Sequence, residues 1–222
     1  MLTELAKKTE CKILVYENNP FADYNIVKNS VRDYSFRLAH RLGFSKYNTE
    51  GLRIMSQYPI VHLQHSYLFP TIVPLLDNKV KNKSKIIITL RGGDTYLKPW
   101  IYNDWKKFYC EYGRKIAAFI TVSDNQKDYL IRWGVPEENI HVIPVSLGKG
   151  TLNMPKYPGK DSIRFISAFR MTWEKNIFGN IYLVKLIKDR GYNVKYDIYG
   201  DGADLSQIYY LIDTYNLTEH VA

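Results

Sequence analysis

Short runs of branched apolar residues alternate along this chain with longer segments whose apolar residues recur at helical spacing. That alternation narrows the available folds more than any other feature, because strands separated by crossover helices pair in parallel and are covered by those helices. The predicted strands are Lys12 to Tyr16, Ile60 to Gln64, Lys85 to Leu90, Ala117 to Val122, His141 to Val145, Ile163 to Ser167 and Val194 to Tyr199. Most are β-branched and nearly continuous in apolar residues, as strands buried on both faces are. The fold class that follows is α/β with doubly wound parallel sheets.

Helical spacing is clearest in the second half. Ile177, Ile181, Val184 and Ile187 form one stripe that Gly191 terminates, and Leu205, Ile208, Ile212 and Tyr215 form another after Gly202. Ser123 precedes DNQKDYLIRWG, which predicts an N-capped helix with an apolar patch at Leu130, Ile131 and Trp133 and a stop at Gly134. From Leu147 to Ser162 the stretch LGKGTLNMPKYPGKDS is rich in Gly, Pro and Lys and lacks periodicity, as exposed interdomain linkers do. The expected organisation is a first domain over 1–148, a linker over 149–162 and a second, incomplete domain over 163–222. No internal repeat is evident.

The chain has 222 residues, 45% of them hydrophobic and 24% charged, which is globular composition. It has no run of ~18 apolar residues, and MLTELAKKTECK has no apolar signal core, so the expected compartment is the cytoplasm. Cys11 and Cys110 have no C-x-x-C partner and read as reduced packing residues. A net charge of +9 suits nucleic acid, an anionic membrane or a phosphorylated substrate. The basic residues are scattered except for Lys79, Lys81, Lys83 and Lys85, and no nucleic-acid module is present, so no nucleic-acid partner is expected. That lysine cluster reads as a solvated helix end, with contact to anionic lipid as the other reading.

In open α/β sheets ligands bind beyond the carboxyl ends of the strands. Four loops there carry chemistry: His65-Ser66, Arg91-Gly92-Gly93-Asp94, Phe169-Arg170 with Lys175 nearby, and Gly200-Asp201-Gly202. All four are expected to point into one cleft if two lobes face each other. Arg170 and Lys175 suit an anion clamp, a forked guanidinium beside a compact ammonium, although Arg170 pairing with Glu174 at the surface is equally open. Gly200-Asp201-Gly202 either brings backbone amides to an anion at a helix N-terminus or relieves steric strain in a turn, with Asp201 favouring the helix start. Arg91 and Asp94 either flank a functional loop or neutralise one another. His62 and His65 lack a third ligand at sensible spacing, so no metal is expected. Gly-x-Ser-x-Gly, a P-loop and H-E-x-x-H are all absent.

Read in order, these segments resemble one family. YPIVHLQHS is similar to a P-D-I-V-H-x-H strand, ITLRGGD to a T-x-H-G-x-D loop, and FITVSDNQKDYLIRWGVPEENIHVIPVS to a segment ending V-I-P-N-G. IRFISAFRMTWEKN resembles F-V-G-R-L-x-x-E-K-G, and YDIYGDGADLSQI the strand and G-x-G turn that follow it. The succession, from about Ile60 to the end, resembles the family 4 retaining glycosyltransferases, which have the GT-B architecture of two Rossmann-like domains.

The resemblance implies transfer of a sugar from a nucleoside diphosphate sugar to an acceptor hydroxyl with retention, of the hexosyltransferase type and in surface polysaccharide or glycan synthesis. It implies Arg170 and Lys175 on the donor diphosphate, and Asp94 beside the sugar and acceptor, as catalytic residues. Arg91, Gly92, Gly93, Gly200, Asp201 and Gly202 are the implied substrate-binding residues. It needs no metal or cofactor, with the nucleotide sugar as donor and a sugar or lipid-linked glycan as acceptor. A peripheral contact at the inner face of the cell membrane is a further expectation.

Departures accompany the match. Arg91 stands where the family has histidine and cannot shuttle a proton at neutral pH, so its role is electrostatic or positional. Val142-Ile143-Pro144-Val145-Ser146 replaces V-I-P-N-G, and Phe169 replaces the glycine before the arginine. The family's first strand with its Gly-rich loop, and its E-x7-E glutamates, have no counterpart between Met1 and Ala222, which implies a chain truncated at both ends and puts its activity in isolation in question. The alternative is a noncatalytic or decayed fragment acting as a binding or scaffold module. An epimerase-type enzyme would need a dinucleotide fingerprint that is not here.

Overall fold

A computed structural model describes residues 11–17, 19–27, 30–77, 84–146 and 162–222. The chain divides into two compact units, Met1–Gly148 and Lys149–Ala222.

The first unit is built on a parallel four-stranded sheet in the order β3 (Ile60–Leu63), β4 (Lys85–Thr89), β5 (Ala118–Thr121) and β6 (Ile140–Val142). A separate parallel pair joins β1 (Leu14–Val15) to β2 (Tyr24–Asn25). Ile88 sits at the centre of the larger sheet, opposite Leu63 on one side and Phe119 on the other. Among the described residues its helices are α1 (Val31–Arg41), α2 (Glu50–Met55), α3 (Phe69–Leu76), α4 (Gly93–Tyr96), α5 (Lys98–Ile101), α6 (Asn103–Tyr112) and α7 (Asp124–Arg132).

One apolar core fills this unit. Ile86, Ile88 and Phe119 from the strands meet Ile72, Phe108, Tyr109 and Leu130 from the helices, with Phe69 stacked on Phe108 at 4.6 Å. The α7 boundaries follow from local chemistry: Ser123 Oγ accepts the Gln126 N–H at 3.3 Å, and Gly134 adopts φ 92° to leave the helix. Leu130 and Trp133 are buried as expected, but Ile131 faces solvent, since its position falls on the opposite side of the helix. Strand β6 stops at Val142 rather than Val145. Ile143 N–H still bonds Thr121 O at 2.8 Å, and Pro144 then has no N–H to continue the ladder.

The second unit pairs β7 (Ile163–Ala168) with β8 (Val194–Tyr199) in parallel, with α8 (Ile177–Asp189) and α9 (Leu205–Thr214) packed on them. Ile181, Val184, Val194 and Leu217 form its centre, and Tyr196 N–H bonds His220 O at 2.7 Å, tying the segment after α9 to the sheet. Most strands were expected to be covered on both faces, and β7 is not. Instead its exposure alternates and Ile166 is 72% exposed, because both helices of this unit belong to a core on one face of the two-stranded sheet.

Other expectations are also revised. Cys11 and Cys110 are exposed rather than packed; Cys110 lies in the last turn of α6, where its thiol donates to Trp133 O at 3.1 Å. Lys85 opens β4 rather than ending a helix, while Lys79, Lys81 and Lys83 lie outside the described residues, as does the predicted linker up to Asp161.

Phe119 is wholly buried between sheet and helices. Phe119→Ala is expected to cost the first unit about 3–5 kcal/mol, read as a lower urea midpoint at unchanged slope.

Candidate active site

The carboxyl ends of β3, β4 and β5 are joined by a buried polar network centred on Asp94. The chain leaves β4 through Leu90, whose N–H bonds Ile120 O at 2.9 Å, and turns at Gly92 with φ 115°, a region in which a side chain is strained. Asp94 is 0% exposed. A buried carboxylate is tolerated only when its oxygens are met by donors. Oδ1 accepts the N–H groups of Gly92 at 2.9 Å and Arg91 at 3.2 Å, and Oδ2 accepts the Ser66 hydroxyl at 2.8 Å.

The network continues behind Asp94. Tyr109 Oη lies 3.1 Å from Ser66 Oγ and donates to Asp94 O at 3.2 Å. Burial first, and the charge of Asp94 second, push the Tyr109 phenol far above its ordinary range, so it stays protonated and serves as a donor. Gln126 bridges onward, its Oε1 accepting Val122 N–H at 3.0 Å and its Nε2 donating to Thr95 Oγ1 at 3.2 Å. Trp133 Nε1 closes the group on Thr95 O at 2.9 Å.

Arg91 and Asp94 therefore do not neutralise one another. The carboxylate turns under the loop toward backbone amides, while Arg91 Nε donates to Gln64 O at 3.0 Å from an exposed position. Asp94, expected among the catalytic residues, is sealed from solvent by the loop that it holds. Thr95, Tyr109 and Gln126 have no mark in their spacing, and Ser66 has only its place after β3; the packing of three strand ends brings them together.

The two histidines have separate engagements. His62 Nε2 lies 2.8 Å from Thr89 Oγ1, and burial holds its imidazole below the usual range. His65 packs edge-on to Tyr67. Among the described residues no group of three or more His, Cys, Asp and Glu converges in a way that holds a metal ion.

In the second unit the Arg170 loop and the Gly200-Asp201-Gly202 loop are knitted together. Phe169 N–H bonds Tyr199 O at 3.0 Å, Met171 N–H bonds Asp201 O at 2.8 Å, and Asp204 N–H bonds Met171 O at 3.1 Å. A Cβ at Gly200 would collide with Phe169 O and one at Gly202 with Met171 O, so both glycines are required by this close approach. Gly202 N–H is already taken by Asp201 Oδ1 at 2.7 Å, and α9 begins only at Leu205 with Asp204 as N-cap. The steric reading of Gly-Asp-Gly is thus the one the geometry carries, and Asp201 caps its own turn rather than the helix.

Arg170 stands between the two bonded amides of Phe169 and Met171, so its backbone is held while its side chain is 74% exposed. Its Nη2 lies 3.4 Å from Glu174 Oε1, a long contact. Glu174 is held below the usual carboxylate range first by its own backbone N–H and then by the Thr172 hydroxyl, with Arg170 contributing less. Exposed pairs of this kind stabilise little. Lys175 ends a short 3-10 turn before Asn176, which adopts left-handed φ 53°, and its exposed ammonium has no carboxylate oxygen within 4.0 Å among the described residues.

Parallel α/β units with charged loops at the carboxyl ends of their strands define the class of open-sheet α/β proteins that bind ligands at those ends. Residues 1–145 match the family model described as Glycosyltransferase Family 4, and the chain belongs to that family. Among solved structures, it is similar to TarM of S. aureus in complex with UDP (TM-score 0.58, 19% identity, 79% of this chain and 36% of that one). It is similar also to the Anabaena protein HepE in complex with UDP (TM-score 0.54, 13% identity, 77% and 49%). A third is the lipopolysaccharide outer core galactosyltransferase WaaB (TM-score 0.58, 11% identity, 100% and 62%). At these identities the likeness is one of fold, that of the GT-B glycosyltransferases, and the chain spans only 36% of the length of TarM. A comparison with curated sequences found no match.

Two substitutions test the local architecture. Asp94→Ala leaves two loop amides without their acceptor and the Ser66 hydroxyl with only Tyr109 Oη as a partner, and is expected to destabilise the first unit by about 3 kcal/mol in urea unfolding. Gly202→Ala forces the two loops of the second unit apart and is expected to lower its melting temperature by several degrees, about 1–3 kcal/mol.

Proposed function

We propose that this chain acts in transfer of a sugar from a nucleoside diphosphate sugar to an acceptor hydroxyl with retention, as a hexosyltransferase-type enzyme of surface polysaccharide or glycan synthesis. The observation that carries the reading is the pair Arg170 and Lys175, exposed on a loop whose backbone is fixed by hydrogen bonds at the carboxyl end of β7, in a family 4 chain.

As the glycosidic bond to the leaving diphosphate breaks, negative charge builds on the phosphate oxygens. Cations already fixed in place stabilise that state more than the ground state. A guanidinium meets two phosphate oxygens at once and an ammonium adds a point charge, so the pair supplies what a divalent metal or a cofactor otherwise would. The 3.4 Å contact to Glu174 is loose enough for a diphosphate to displace. TarM and HepE were each solved with UDP, which supports a nucleoside diphosphate as the ligand class.

Calorimetric titration of the chain with UDP and with inorganic pyrophosphate is the test. Both are expected to bind, and Arg170→Ala and Lys175→Ala each to weaken binding about 10-fold or more, the equivalent of ~1.4 kcal/mol. Absence of heat with either ligand would instead favour a noncatalytic scaffold. Wherever turnover is measurable, each alanine is expected to cost about 10²–10³ in kcat.

The proposal includes a peripheral contact with the cytoplasmic face of the membrane. Among the described residues no helix is long and apolar enough to cross one. Val31, Tyr34 and Leu38 of α1, spaced to share one helix face, are all exposed, with Arg37 and Arg41 on the same helix. An apolar face with basic residues at its side is complementary to an anionic lipid surface. Co-sedimentation with phosphatidylglycerol vesicles, but not with phosphatidylcholine vesicles, is expected, and Leu38→Glu is expected to abolish it.

A further inference from the structure

The surface around the Gly92-Gly93 loop has an unbalanced charge. Its nearest carboxylate, Asp94, is turned inward and occupied by backbone and hydroxyl donors. That leaves Arg91 and Lys98, on either side of α4, and neither has a carboxylate oxygen within 4.0 Å among the described residues. Both are anchored to one short segment after β3. Arg91 Nε donates to Gln64 O at 3.0 Å, and Lys98 Nζ stands 5.6 Å from the centroid of the Tyr67 ring. Lys98 also lies 4.7 Å from the Tyr102 ring, so its ammonium is shared by two aromatic faces.

An aromatic face attracts a cation through its quadrupole but supplies no full negative charge, so Lys98 remains able to bind an anion. The two rings are half exposed, Tyr67 at 48% and Tyr102 at 50%. Tyr67 is braced edge-on by Trp105 at 5.0 Å, and its hydroxyl lies 3.5 Å from where a Cβ would stand on Gly93. The loop thus has exposed, partly immobilised aromatic surface beside two unneutralised cations. The slightly positive C–H face of a pyranose stacks on the electron-rich face of such a ring. Carboxylate or phosphate is the complement of a guanidinium and an ammonium.

We infer that Tyr67, Tyr102, Lys98 and Arg91 form a subsite for an acceptor glycan carrying an anionic substituent, the rings stacking on its pyranose and the two cations holding its carboxylate or phosphate. The subsite rests on the proposed glycosyl transfer and names the acceptor class for it. It also gives Arg91 a task that suits its permanent charge.

The test is ligand-detected NMR titration of the chain with methyl β-D-glucuronide and glucose 6-phosphate, against methyl β-D-glucoside and inorganic phosphate as controls. At least one anionic sugar is expected to bind about 10-fold tighter than either control, the equivalent of ~1.4 kcal/mol, with affinity falling as salt rises. Which of the two binds tighter identifies carboxylate or phosphate as the substituent. Lys98→Met and Arg91→Gln, both changes at the surface, are expected to weaken anionic-sugar binding several-fold each, and Tyr102→Ala to remove the advantage of sugar over inorganic phosphate. Equal binding of the neutral glucoside, binding of inorganic phosphate as tight as that of the sugars, or undiminished binding in the Lys98→Met/Arg91→Gln double variant would each overturn the subsite. The probes contain no nucleotide, so failure here is separable from failure of the donor reading, which shows in the UDP titration.

Discussion

A buried carboxylate is the constraint on which the carboxyl end of the first unit's sheet depends. Asp94 has no access to water, and its oxygens are met by amides of the loop in which it sits and by a hydroxyl from the segment after the neighbouring strand. The same bonds that make its burial tolerable also set the loop's path through Gly92 at positive φ. Ser66, Tyr109, Thr95 and Gln126 extend the arrangement across three strand ends, each polar atom answering another. A partly satisfied network in this position would be worse than an apolar one, so its members stand or fall together.

The second unit reaches a similar end by a different means. There the loop bearing Arg170 is held by backbone bonds to the loop of Gly200 and Gly202, and the glycines are there because any Cβ would strike a carbonyl. Rigidity under an exposed cation is what the proposed donor site requires, since a charge that must first be ordered has spent part of its effect. Arg170 has its backbone fixed and its head free but for one long contact to Glu174. On the first unit, burial of Asp94 leaves the local surface to Arg91 and Lys98, so a structural interaction decides the sign of the charge exposed there.

Much of the fold was readable in the order of residues, because burying a β-branched strand or an apolar helix stripe leaves a periodic trace. Strand β8 was placed at its observed limits, and α7 began after Ser123 and ended before Gly134, since a cap and a positive-φ glycine are local requirements. Strand β2 was not anticipated, and helices α1 to α6 were expected only in kind, as crossovers between strands, without bounds. Strand β2 is two residues long, α4 and α5 are single turns, and α1 has its exposed apolar residues on a face that packs against nothing in the core. Periodicity is weak where elements are short, and misleading where an apolar face is left outside.

The sequence by itself determined the parallel α/β class and the spacing of Arg170 and Lys175, and it placed the Arg-Gly-Gly-Asp loop just after a strand. These are properties of neighbours along the chain. Only the tertiary structure decided that Asp94 points inward and Arg91 outward, that Gly200 and Gly202 serve a close approach of two loops, and that Lys98 stands between two tyrosine rings. The reason is that the partners involved lie up to tens of residues apart, as Ser66 does from Asp94, and side-chain direction is set by which donors and rings the fold brings within reach.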